Sequence, residues 1–90
     1  MMLDSNMVKV LYFAKLREDL GCAQEDLALP AGVDTVASLR AYLMARGGAW
    51  HEAFARGGAF RVAVNQDMAQ PGTPVSAGDE VAFFPPVTGG

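Results

Sequence analysis

Ninety residues leave room for one domain. One cysteine (Cys22) excludes an internal disulfide, a four-cysteine zinc ribbon and a cysteine-held iron–sulfur cluster, and one histidine (His51) excludes a multi-histidine metal site. Seven Lys+Arg against ten Asp+Glu, a net charge of −3, argue against a nucleic-acid partner, yet 51% of residues are hydrophobic and only 19% charged, against ~25% in an average domain. Side-chain catalysis is thinly supplied while apolar surface is in surplus, which fits either an alanine-rich ordinary domain or a protein that lives against a partner.

Met1–Asn6 has neither a basic nor an apolar leader segment; it reads as a disordered extension, with Met7 as an alternative native start. Val8–Phe13 reads as a strand with Val8, Val10 and Tyr12 on one face and Leu11 and Phe13 on the other. Apolar residues on both faces predict a central strand. Ala14–Leu20 reads as a short helix stopped by Gly21, and Glu25–Leu29 as a second strand pairing back on the first. Asp34/Thr35 offers an N-cap to a helix from Val36 to about Arg46, whose buried stripe is Val36, Leu39 and Leu43, with Arg40 facing water and Gly47-Gly48 ending it. Trp50–Ala55 adds a further turn or two of helix. Phe60–Val64 alternates cleanly as a strand, Asn65-Gln66-Asp67 turns the chain, and Met68-Ala69 reads as a short edge strand. Turn chemistry at Pro71–Pro74 and Ser76–Asp79 leads into a last strand, Glu80–Phe84, again apolar on both faces and stopped by Pro85-Pro86. This order predicts an α+β domain: one sheet with a helix laid over a face and the first and last strands at its centre.

The candidate reactive side chains have bland explanations. Cys22 lies in a loop with no neighbouring histidine, so it reads as a tolerated free thiol. His51 reads as a surface residue, and the adjacent Asp79 and Glu80 point to opposite faces of an extended chain. Gly47-Gly48 and Gly57-Gly58 fit no phosphate-binding pattern.

The C-terminal segment stands out. After the last apolar strand, Pro85-Pro86 favours an extended exit, and Val87-Thr88-Gly89-Gly90 has a reach of ~13–14 Å. Gly89 and Gly90 lack Cβ atoms, so they can thread a channel too narrow for side chains, presenting the α-carboxylate of Gly90. That carboxylate, with an ordinary pKa of ~3.3–3.7, is ionised and unreactive near neutrality. To act as a carrier it must first be activated, most simply as an acyl-adenylate made by another enzyme with ATP. The activated acyl group then accepts sulfur, giving a thiocarboxylate, or an amine, giving an isopeptide.

Val8–Glu18, Val62-Ala63-Val64-Asn65-Gln66 and above all Gly78–Gly90 (GDEVAFFPPVTGG) resemble the small, sulfur-carrier subunits of molybdopterin synthase, in order from about Met7 to the C-terminus. The resemblance implies a ubiquitin-like β-grasp fold: a mixed sheet of four to five strands with a helix on one face, a domain over 7–84 and a flexible Gly-Gly tail over 85–90. It implies a non-catalytic subunit that binds no cofactor of its own; the lone cysteine and the lack of a signal-peptide pattern make the cytoplasm the expected compartment. Gly90 would carry first an adenylate, made with ATP by a ubiquitin-activating-like adenylyltransferase, then a thiocarboxylate loaded by a sulfur donor enzyme. That sulfur would pass to precursor Z (cyclic pyranopterin monophosphate) inside the large subunit, in a heterotetramer with two copies of each chain. Carried over by position, the docking residues are Phe13, Met68 and Phe84, with Arg17 beside them, and the threading tail is Pro85, Pro86, Val87, Thr88, Gly89 and Gly90. No metal, nucleic acid or membrane is implied. A thiamine-type sulfur carrier and a ubiquitin-like protein modifier use the same terminal chemistry and remain the alternatives.

Overall fold

The computed structural model describes residues 7–56 and 60–85. Their elements run β1 (Met7–Tyr12), α1 (Ala14–Leu20), β2 (Gln24–Ala28), α2 (Val36–Met44), α3 (Gly48–Arg56), β3 (Arg61–Val64), β4 (Asp67–Met68) and β5 (Glu80–Phe84). The strands form one mixed sheet in the order β2-β1-β5-β3-β4, with β1 and β5 parallel and the other neighbours antiparallel. The two strands that are apolar on both faces do sit side by side in its middle, in the α+β, ubiquitin-like arrangement expected. The proposed extension at Met1–Asn6 and the tail from Pro86 to Gly90 lie outside the described residues.

Alternation decides which face folds the protein. Val8, Val10 and Tyr12 of β1, Val62 and Val64 of β3, and Val81 and Phe83 of β5 join Leu39 and Leu43 of α2 and Phe54 of α3 in one core. The predicted stripe Val36, Leu39 and Leu43 is buried. Gly21 takes φ 66° and ends α1, its N–H donating to the Arg17 carbonyl at 3.0 Å. Thr35 caps α2 in a capping box: its Oγ1 accepts from the Ser38 N–H at 3.1 Å, and Ser38 Oγ accepts from the Thr35 N–H at 3.0 Å. Two further donors at the start of α2, the N–H groups of Val36 and Ala37, donate to the carbonyls of Thr73 and Pro71 in the loop before β5.

Several expectations need correction. Arg40 does not face water: its Nη2 donates to the Phe54 carbonyl at 2.8 Å, and its guanidinium lies 4.8 Å from the Phe60 ring centroid. The cause is reach, because its long stem lies along apolar surface and its head satisfies a carbonyl in the last turn of α3. The segment after Gly47 is a full helix rather than a turn or two; Gly47, at φ 78°, breaks from α2, and Gly48 opens α3 instead of ending its predecessor. Helix α2 stops at Met44, short of Arg46, and the short edge strand is Asp67–Met68 rather than Met68-Ala69. β1 and β2 begin and end one residue earlier than expected.

Candidate functional site

Among the described residues, the other face of the sheet carries no helix. Its outward side chains follow from the register and fall into three cross-strand rows. One row is Phe13, Phe84 and Arg61: the Phe13 N–H donates to the Phe83 carbonyl at 3.2 Å, continuing the parallel pairing past Tyr12, and Arg61 lies directly opposite Phe84. The next is Gln24, Leu11, Ala82, Ala63 and Met68. The third is Asp26, Lys9 and Glu80. The face is therefore mainly apolar at the end where β5 runs out into Pro85, with Arg61 at its margin, and mainly charged at the opposite end.

The apolar end is built in detail. The Phe13 and Phe84 rings stack in parallel, with centroids 4.8 Å apart and planes 3° apart. Phe13 is 38% exposed and Met68 63% exposed, although both are large and apolar. Between Leu11 and Met68 the row carries the small side chains of Ala82 and Ala63. Both alanines are buried, yet they stand outside the main core cluster, covered by their neighbours on this face. The structure thus brings Phe13, Phe84 and Met68 onto one surface, as the sequence expectation has it. Arg17 is exposed on α1, in the turn that starts from Phe13. Pro85 is half-buried just beyond Phe84, and Pro86, Val87, Thr88, Gly89 and Gly90 lie outside the described residues.

A polar cluster behind Phe13 has no local signal in the sequence. The Tyr12 hydroxyl donates to Glu25 Oε2 at 2.7 Å and accepts from Trp50 Nε1 at 3.3 Å. Arg46 grips Glu25 with both terminal nitrogens, at 2.8 and 2.9 Å, while its guanidinium lies 5.0 Å from the Trp50 ring centroid. Burial pushes the Tyr12 hydroxyl well above its ordinary range, against the opposing Trp50 hydrogen bond, so it stays protonated as a donor. Burial also raises Glu25, but the hydrogen bonds from Arg46 and Tyr12 and the Arg46 charge together hold it below its ordinary value, so it stays ionised. The Glu25 hydrogen bonds raise Arg46 in turn. The cluster fixes Tyr12, and through it the β1–α1 turn that presents Phe13.

The described residues hold no converging catalytic machinery. Cys22 Sγ donates to the Gln24 carbonyl at 3.4 Å, and His51 is exposed on α3. A groove of about 300 Å³ between α2 and the β3–β4 edge is lined mainly by Val36, Met44, Phe60, Val62 and Pro71, and its arginine, Arg40, is already engaged. Among the described residues, no three His, Cys, Asp or Glu side chains are grouped to hold a metal ion. No helix among them is long and apolar enough to cross a membrane.

Relatives share this framework. The chain is 44% identical over 84 residues to the molybdopterin synthase sulfur carrier subunit of Escherichia coli, covering 93% of this chain and 100% of that protein. The solved structure of small archaeal modifier protein 1 from Haloferax volcanii superposes with a TM-score of 0.71 at 27% identity, over 90% of this chain and 98% of that one. A complex of subunits 1 and 2 of the molybdopterin-converting factor from Helicobacter pylori matches with a TM-score of 0.61 at 27% identity, over 93% of this chain and 99% of that one. The ThiS family model matches residues 10–90, and with the sheet order, the uncovered apolar face and the likeness to a sulfur carrier subunit all in agreement, the chain belongs to the ThiS family.

Proposed function

We propose that this chain is the sulfur-carrier subunit of a molybdopterin synthase, acting in the cytoplasm. Its reactive group is the α-carboxylate of Gly90. In this scheme a carboxylate oxygen attacks the α-phosphorus of ATP in a separate adenylyltransferase, and pyrophosphate leaves. Hydrosulfide delivered by a donor enzyme then attacks the acyl carbon and loses its proton; AMP leaves with one of the original carboxylate oxygens, and a thiocarboxylate remains. The large subunit receives the tail; the thiocarboxylate sulfur attacks precursor Z there, and water then cleaves the acyl carbon–sulfur bond, leaving the sulfur on the substrate and returning Gly90 to a carboxylate. The chain supplies a handle and a docking face, and its partners supply the catalysis, as two of each subunit in a heterotetramer.

The observation that carries this reading is the placement of the uncovered Phe13, Phe84 and Met68 surface beside Pro85, where the tail begins. A partner seated on that face takes the tail in the same step. The relationship to the E. coli sulfur carrier subunit and the two-subunit complex from H. pylori support the same partner class. A modifier reading has support of its own in the H. volcanii neighbour. Mass spectrometry of the chain produced together with its activating enzyme separates the two. Replacement of one oxygen by sulfur at Gly90 is expected; an unchanged carboxylate with lysine-linked adducts would transfer the assignment to a modifier. Deleting Gly90 is expected to abolish sulfur transfer while leaving the thermal transition and the affinity for the large subunit unchanged.

A further inference from the structure

The cations of the described residues divide by what surrounds them. Lys15 pairs with Asp19 at 2.8 Å, Arg46 with Glu25 at 2.8 Å, and Arg40 donates to the Phe54 carbonyl. Lys9 stands in register between Asp26 on one side and Glu80 on the other. Arg17 and Arg61 are both exposed and make no ion pair among the described residues. Of the two, Arg61 points outward from the sheet directly opposite Phe84, whereas Arg17 stands on α1. Glu80, on the neighbouring strand, lies four residues along β5 from the Phe84 position, or ~13 Å. That exceeds the ~8 Å screening length at physiological salt, so Arg61 acts as a local positive charge on a chain of net charge −3.

We infer that Arg61 is a specificity-determining residue of the docking face: it meets a carboxylate of the large-subunit partner at the rim beside Phe84 and fixes which way round the face is engaged. The inference rests on the docking reading above. A partner that covers the Phe13–Phe84 stack brings its own surface within reach of the guanidinium. A carboxylate there gains a charge-assisted contact with a planar donor fork. In the reversed orientation the same carboxylate would face the row Asp26, Lys9 and Glu80, whose two carboxylates already flank its one cation, and would be disfavoured there. A rim charge of this kind acts mainly on encounter and orientation.

The test measures association and dissociation rates of the full-length chain with its own large subunit, from low to high salt, for wild type, R61E, R61Q and R61K. R61E is expected to associate about tenfold more slowly at low salt with little change in dissociation, R61Q to fall between, and R61K to keep most of the rate. The gap should close as salt rises. A wild type that binds while R61E shows the same rate and salt dependence overturns the role of Arg61 alone; so does an R61K variant as slow as R61E. A wild type that fails to bind the large subunit overturns the docking reading, and this inference with it. Because Arg61 is exposed, circular dichroism and thermal melts of the variants should match wild type.

Discussion

Phe83 and Phe84 are neighbours in sequence and lie on opposite faces of β5. Phe83 is fully buried, with centroids 5.2 Å from the Phe54 ring and 6.4 Å from the Tyr12 ring. Phe84 is half-buried and stacks on Phe13 on the face that carries no helix. The inner face has its partners within the chain, in α2, α3 and the loops around them. The outer face has apolar side chains and no cover among the described residues. That difference divides the apolar surplus in the composition between a face that folds the chain and a face left open among the described residues, which a count of hydrophobic residues cannot separate; under the proposed function the second is the docking face.

The most direct way to break the comparison is to truncate each ring in turn. Phe83→Ala is expected to cost about 3–5 kcal/mol, a large share of the roughly 5–13 kcal/mol expected of a 90-residue domain. Urea denaturation would read this as a large fall in midpoint or loss of the folded baseline. Phe84→Asp should leave the fold within about 1 kcal/mol of wild type, since it gives up one exposed stack. It should weaken binding to the large subunit by about 30-fold or more in calorimetry. Equal effects of the two substitutions on stability, or an unchanged affinity for Phe84→Asp, would end the division between the faces.

The polar cluster sharpens the comparison, because it belongs to the inner side yet braces the turn that carries Phe13. Glu25→Gln removes the charge from a carboxylate whose side chain is 22% exposed and is expected to cost about 1–2 kcal/mol at neutral pH, discounted for partial solvent screening. The sign with pH follows from Glu25 being held below its ordinary value of 4.5. Its contribution is present in full above that value and is lost as pH falls through the lower folded-state value. The stability gap between wild type and Glu25→Gln should therefore narrow from pH 7 towards pH 3. A constant gap across that range would show that the loss comes from packing rather than charge.

Much of this was legible in the sequence where the cause is local. The alternation of β1 and β5, the Thr35 cap and the Gly21 stop each involve residues within four positions of one another, and each is where the pattern puts it. Phe13, Met68 and Phe84 are singled out in the sequence only by the resemblance, and register explains why they share a surface. What escaped depends on distance along the chain. Tyr12 meets Glu25 and Trp50 across 13 and 38 residues, and Arg46 meets Glu25 across 21, separations at which periodicity is silent. Arg40 flanks a buried stripe, a position that points to water, while its stem is long enough for the head to reach α3. The start of helix α3 is hidden in the sequence because paired glycines read as a stop, although only Gly47 acts as one.

The smallest expected effect comes from the end of the sheet farthest from the tail, and it tests whether stability and docking are separable. Val64 and Asp67 pair across a two-residue turn in which Asn65 has φ 52° and Gln66 φ 73°. Left-handed values at both central positions define the hairpin turn that favours Asn followed by Gly. Asn65 suits its place, and its side chain also ties the turn to the start of β5, with Nδ2 donating to Asp79 Oδ1 at 3.0 Å and Oδ1 accepting from the Glu80 N–H at 3.0 Å. Gln66 gains no such return for its left-handed backbone, which costs an L-residue ~1–2 kcal/mol. Gln66→Gly removes that cost but adds freedom to the unfolded chain, so the net gain is expected to be about 0.5–1 kcal/mol. It should appear as a higher urea midpoint at unchanged slope, with the affinity for the large subunit unaltered because the turn lies at the charged end of the outer face. A change in affinity would show that the docking face extends past Lys9 and Glu80 to this turn.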